Sequence, residues 1–221
     1  MELWHGSPVI VKRPQHALCR PNNDYGTGFY CTQNVSLAKE WACSSSTGGF
    51  ANHYELNTTG LATLDLCSSE YTALNWLAVL VANRTFQAAT PFAASGLRHL
   101  KEHYLPNTKP YDLIRGWRAD DSYFSFARAF VANQISVEQL SRAMRLGKLG
   151  IQVAVMSPRA FSKIHYLGHE RADARVFAGL RAKRDAEARS SYQRMAAEFD
   201  PEGVYMADIL RGAEEGLGKL N

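Results

Sequence analysis

Three short runs in the first forty-one residues carry side chains suited to gripping a small planar ligand: His5-Gly6-Ser7, Gly26-x-Gly28-x-Tyr30, and Trp41. A histidine followed by two small residues offers an imidazole beside backbone that a flat ring can approach closely. A glycine-flexed loop ending in a tyrosine at a strand start presents an aromatic face to such a ring. Each feature alone also has a plain structural reading, His5 as a structural or surface histidine and Tyr30 and Trp41 as packed aromatics. Asp112, Arg115 and Arg118 around Trp117 form either an anion site or a charged loop. Asp120-Asp121 supplies two adjacent carboxylates, which serve equally as an N-cap with its favourable helix dipole.

The elements that must position these residues follow from periodicity and punctuation. Glu2–Trp4 and Val9–Val11 read as strand pieces around a turn at His5 to Pro8, so that His5 sits at a strand end. Phe29–Thr32 is a strand after the glycine-rich loop. Ser36–Cys43 has helical spacing behind Asn34 or Ser36 as N-cap. Phe50–Leu56 and Gly60–Leu66 read as strands, and Ser69–Asn83 as an amphipathic helix. Asp112–Ile114 is a buried strand, Asp121 to about Asn133 a helix, and Ser136 opens another that ends at Gly147–Gly150. Ile151–Met156 and Ile164–Leu167 are strands, and the stretch from His169 to about Phe199, rich in alanine, arginine and glutamate, is a long helix. The expected class is α+β. Residues 1–167 form the principal domain, and residues 168–221 a mainly helical C-terminal extension packed on it.

Composition narrows the function classes. The chain has 221 residues, 46% hydrophobic and 21% charged, which excludes a disordered protein. With 25 basic and 21 acidic residues the net charge is +4, too mild to demand nucleic acid and permissive of an anionic ligand. The arginines between Arg171 and Arg194 are interleaved with Glu170, Asp173, Asp185 and Glu187, the mark of a solvated face rather than a nucleic-acid groove. Cys19, Cys31, Cys43 and Cys67 form no CxxC pair, so free thiols are expected and no metal site. The longest apolar run, Leu77–Ala82, is far below the ~20 residues of a membrane span. No signal peptide or membrane anchor is expected, which suits a cytoplasmic protein or one delivered into a target cell by another route.

Taken together, Leu3-Trp4-His5-Gly6-Ser7 and the run from Gly26 to Ala42 resemble the nicotinamide-binding half of the ADP-ribosyltransferases of the poly-ADP-ribose polymerase and diphtheria-toxin branch. More closely, residues 2–167 resemble a bacterial family of small ADP-ribosyltransferase-like domains of unknown function found among toxins of toxin–antitoxin pairs. Four motifs carry that likeness in order: Trp4-His5-Gly6-Ser7, the run from Arg20 to Tyr30, Asn75-Trp76-Leu77 with Arg84, and Ala119-Asp120-Asp121. The resemblance implies a split β-sheet core with peripheral helices, and NAD as substrate.

It also implies roles for individual residues. The bond between nicotinamide and ribose breaks through an oxocarbenium-like state, so the leaving ring must be held, the ribose hydroxyls fixed and positive charge stabilised. Gly6 would offer backbone hydrogen bonds to the carboxamide, Tyr30 (delivered by Gly28) and Trp41 would sandwich the ring, and His5, assisted by Ser7, would hold a ribose hydroxyl. Arg20 would grip the pyrophosphate, or else is solvated or paired with Asp24. Polymerases carry a glutamate on a late strand, and Gln152 stands in that slot here. A neutral amide accepts a hydrogen bond but supplies neither charge nor base, so chain elongation is disfavoured. Asp121 or Asp120 is the rival source of the carboxylate. The implied function is mono-ADP-ribosylation of a macromolecular target by a toxin or effector, with an antitoxin or immunity protein as a further partner. The alternatives are an inactive module binding NAD, ADP-ribose or a partner, and an NAD glycohydrolase.

Overall fold

Seven strands form one sheet in the order β4-β5-β6-β2-β1-β3-β7. They are β1 (Glu2–Ser7), β2 (Phe29–Thr32), β3 (Gly49–Leu56), β4 (Thr63–Asp65), β5 (Leu113–Trp117), β6 (Ile151–Val155) and β7 (Ile164–Ala172). The computed structural model describes residues 1–44, 46–119, 121–145 and 150–212, without the side chains of residues 121–124. β4 and β5 run parallel and every other neighbouring pair is antiparallel. The helices are α1 (Val35–Ala42), α2 (Ala73–Asn83), α3 (Pro91–His103), α4 (Asp121–Val131), α5 (Val137–Ala143), α6 (Pro158–Phe161), α7 (Ala174–Ala196) and α8 (Met206–Leu210). This is the α+β class expected from the chain. Among the described residues, no helix is long and apolar enough to cross a membrane.

Alternation along the strands divides the buried side chains between two faces. Leu113, Val153 and Val155 join Leu3, Phe29, Tyr54 and Leu56 in one apolar cluster, while Ile114 and Ala154 join the other. That other cluster is built on α2, whose residues from Ala73 to Val81 are buried apart from Asn75. A helix apolar on every side belongs in a core. Trp76 within it donates its indole N–H to the Trp117 carbonyl at 2.9 Å, tying the helix to the end of β5.

The sheet has a narrow seam. β1 and β3 are in register from Glu2↔Glu55 to Ser7↔Phe50, and β2 and β6 from Phe29↔Val155 to Thr32↔Gln152. Between β1 and β2 the register pair is Trp4↔Thr32 alone. The leaf β4-β5-β6-β2 and the leaf β1-β3-β7 therefore meet at one point, and C-terminal to Trp4 the space beside β1 is open to side chains.

Several expectations are corrected. β1 runs straight through His5-Gly6-Ser7, so His5 lies within the strand opposite Asn52. Val9–Val11 forms no strand, because the buried Asn52 side chain takes its backbone partners. Its amide donates to the carbonyls of His5 and Val9 at 3.2 and 3.3 Å, and its oxygen accepts from the Val11 N–H at 2.9 Å. β7 continues past residue 167 to Ala172, so a domain boundary at 167 would cut a strand. Its register with β3 shifts between His53↔Gly168 and Tyr54↔Tyr166, which leaves Leu167 as the extra residue of a bulge. The long helix accordingly begins later, at Ala174, where the Asp173 carboxylate accepts from the Arg175 N–H. α3, absent from the expectations, has an N-terminal signal in plain view, Thr90 as N-cap and Pro91 in the first turn.

Candidate functional site

A cleft of about 380 Å³ opens beside the seam. β1 contributes His5 and Gly6, β2 Tyr30, α1 Trp41 and β6 Gln152. The loop between β1 and β2 adds Arg20, Asn23 and Asp24, the end of α2 adds Arg84, and the segment after β5 adds Arg118 and Ala119. Six of the residues named from the sequence thus share one cavity: His5, Gly6, Arg20, Tyr30, Trp41 and Gln152.

Their local settings explain how each is held. His5 Nδ1 lies 2.7 Å from the Tyr30 carbonyl oxygen, a group that only accepts, so Nδ1 carries the proton. Burial depresses the imidazole pKa, with the Tyr30 hydrogen bond opposing, so the ring is neutral near pH 7 and Nε2 keeps its lone pair. Gly6 is required because α1 lies directly on β1 here: a Cβ at this position would stand 2.1 Å from the Ala38 carbonyl oxygen and 2.8 Å from Trp41 Cβ. That close approach is what carries Trp41 to the cleft. α1 starts at Asn34, whose side chain accepts from the Leu37 N–H at 3.2 Å.

Tyr30 is pinned at its far end. Its hydroxyl donates to the Gly26 carbonyl at 2.8 Å and accepts from the Tyr25 N–H at 2.9 Å, while its ring stacks on Tyr25 at 6.2 Å. Burial raises its pKa far above the ordinary phenol value. Trp41 is covered by the Arg118 guanidinium, 4.0 Å from its ring centroid, so one face is already taken by a cation. A ligand ring stacking on Trp41 either uses the other face or displaces Arg118.

Ser7 and Gly28, expected in the site, lie outside it. The Ser7 side chain is buried and its hydroxyl accepts from the Val9 N–H at 3.2 Å. Gly28 serves packing, since a Cβ there would sit 2.7 Å from Met156 Sδ. Asp120 and the Asp121 side chain, the rival carboxylates, fall outside the described residues.

Among the described residues, the carboxylate in the cleft is Asp24, 5% exposed. Its Oδ2 accepts from Gln152 Nε2 at 2.8 Å and from the Ala119 N–H at 3.0 Å. Its Oδ1 lies 3.4 Å from the Arg84 guanidinium and has no hydrogen bond. Burial raises its pKa, opposed by the Gln152 and Ala119 hydrogen bonds and by the charges of Arg84 and Arg118. Gln152 therefore spends its amide N–H on Asp24. The signal that could have marked Asp24 is its place in the Arg20-x-x-x-Asp24 spacing, and Arg84 also stood within a motif without being assigned a role.

Residues 1–166 match the family described as protein of unknown function (DUF3990). The chain belongs to that family. The match covers β1 through β6 and the first three residues of β7, and so every cleft residue of this DUF3990 protein. Comparison with curated proteins and with solved structures returned no match.

With three arginines, a neutral histidine and one carboxylate among the described residues, the cleft of this family member suits an anionic ligand that carries hydroxyl groups. Arg20, Arg84 and Arg118 can share phosphate charge, and His5 Nε2 can accept from a hydroxyl.

Proposed function

We propose that this chain is an NAD-dependent mono-ADP-ribosyltransferase of toxin or effector type, acting on a macromolecular target. The observation that supports it is the convergence of His5, Gly6, Arg20, Tyr30, Trp41 and Gln152 on one cleft, from segments up to 147 residues apart (152 − 5). The two-leaved sheet, opening beside β1, agrees with an ADP-ribosyltransferase-like split core.

In this reading Gly6 meets the carboxamide, Trp41 and Tyr30 border the ring, and His5 Nε2 accepts a ribose hydroxyl. The arginines take the diphosphate. An antitoxin or immunity protein is the further partner proposed, and cytoplasm, or a target cell reached by delivery, is the proposed place of action.

The test is incubation of the purified chain with radiolabelled NAD and total cell lysate, followed by separation of protein, nucleic acid and free nicotinamide. Label on a macromolecule is the expected outcome. Free nicotinamide with no labelled macromolecule would replace transfer by hydrolysis, and intact NAD would leave a binding module.

A further inference from the structure

We propose that Asp24, rather than the residue at position 152, is the group that faces the breaking bond in this cleft, with Gln152 as its positioning residue. The proposal rests on the NAD reading above and names the group that the reading lacks.

Three observations carry it. Asp24 is the acidic side chain lining the cleft among the described residues, and it is buried at 5% exposure. One of its oxygens is fixed by two donors from different strands' ends, Gln152 Nε2 at 2.8 Å and the Ala119 N–H at 3.0 Å. The other oxygen, Oδ1, is buried with no hydrogen bond, although Arg84 lies 3.4 Å away. A buried oxygen held by an ion pair without a hydrogen bond keeps acceptor capacity for a further donor, and a hydroxyl arriving in the cleft would supply one. The carboxylate is thus rigidly aimed on one side and unfinished on the other, as a preorganised catalytic group must be.

The chemistry balances as follows. The bond between ribose C1′ and the pyridinium nitrogen breaks, its electron pair staying on nitrogen, so nicotinamide leaves neutral and positive charge passes to the ribose. Asp24 stabilises that charge and accepts a hydrogen bond from a ribose hydroxyl. The acceptor nucleophile then forms the new bond to C1′ and gives its proton to Asp24, which releases it to water. Gln152 cannot do either job, being uncharged and without a basic site, but its N–H holds the group that can.

The experiment compares wild type, Asp24→Asn and Gln152→Ala in NAD titration calorimetry and in nicotinamide release across pH. Asparagine keeps the shape and an oxygen acceptor for Gln152 and Ala119, so Asp24→Asn is expected to fold, to bind NAD within about threefold of wild type, and to release nicotinamide about 100-fold more slowly or worse. The groups facing Asp24 are Arg84, Arg118, Tyr25 and Tyr30, with Gln152 and the Ala119 N–H. Since the Gln152 hydrogen bond favours the charged form, Gln152→Ala should move the acid limb of the rate profile to higher pH, and Asp24→Asn should abolish that limb. Nicotinamide release by Asp24→Asn within threefold of wild type overturns the proposal, as does a profile without an acid limb in wild type or one unmoved by Gln152→Ala. Wild type that binds NAD without releasing nicotinamide also overturns it while leaving the binding site intact. Wild type that does not bind NAD overturns the NAD reading itself, which the calorimetry shows before any variant is compared. If Asp24→Asn fails to fold, the wild-type and Gln152→Ala profiles decide alone.

Discussion

Two buried aspartates, Asp24 and Asp112, sit at opposite ends of the same leaf of the sheet and are treated in opposite ways. Asp112, 6% exposed, has every lone pair in use. It accepts from the Ser157 hydroxyl, from the Arg159 guanidinium through both oxygens, and from the Ala62 N–H at 2.8 Å. These bonds hold its pKa well below the ordinary carboxylate range, Arg159 being the largest cause. Asp24, equally buried, is left with one oxygen lacking a hydrogen bond, and burial pushes its pKa up. Asp112 closes a joint between the starts of β5 and α6 and the segment before β4. Asp24 borders a cavity. Burial alone therefore does not tell these two carboxylates apart; the completeness of their hydrogen bonding does.

The contrast predicts different losses. Asp112→Ala leaves the Ser157 hydroxyl proton and the Ala62 N–H without an acceptor and should cost about 2–3 kcal/mol of stability in denaturant unfolding, the exposed Arg159 contributing little of it. NAD affinity of the folded fraction should be unchanged. An affinity loss beyond about threefold would show that Asp112 reaches the site.

Gln152→Glu replaces a donor 2.8 Å from Asp24 Oδ2 by a second carboxylate. Although glutamate is the residue that the resemblance to the polymerases would put at this position, nicotinamide release should fall about tenfold or more, since two carboxylates at that distance cannot both ionise. Faster release would return the charge-bearing role to position 152.

Trp41→Ala removes a stacking face whose indole N–H has no hydrogen-bond partner among the described residues, and should weaken NAD binding by about 1–2 kcal/mol with little change in melting temperature. Tyr30→Ala should differ, because its hydroxyl ties the Tyr25 and Gly26 backbone together. A lowered melting temperature is expected there, and an unchanged one would mean that the tie is dispensable.

The smallest effect concerns stability against pH. Asp112, with a depressed folded pKa, contributes stability that is present above the ordinary aspartate range and lost as pH falls toward the folded value. Asp24 has a raised folded pKa, so its folded form binds more protons than the unfolded chain, and its contribution declines as pH rises from the ordinary value to the raised one. Relative to wild type, Asp24→Asn should therefore gain stability across that window, while Asp112→Asn should lose its disadvantage as pH falls below the ordinary aspartate range. Parallel unfolding curves at several pH values would show it, and curves of the same sign for both would remove the distinction.

Much of this was legible in the chain because its causes are local. Phe29–Thr32 became β2 between a glycine-rich loop and a capped helix, Asn34 closed the start of α1, and Ser136 opened α5. The side chains suited to a ligand were legible too, since imidazole, indole, phenol and guanidinium chemistry does not depend on fold. What only the tertiary structure decided was the partner each side chain would meet. Ser7 and Gly28 belong to the same motifs as His5 and Tyr30, yet face packed interior. His5 was expected at a strand end, and the pairing of β1 with β3 as far as Ser7↔Phe50, forty-three residues on, is what carries the strand through it. Asp24 meets Arg84, Ala119 and Gln152, and its bonds to the last two span 95 and 128 residues. Periodicity and capping act over one or two turns of chain. Pairings across such separations come from the order in which strands join the sheet, and that order is settled by burial of all the strands at once.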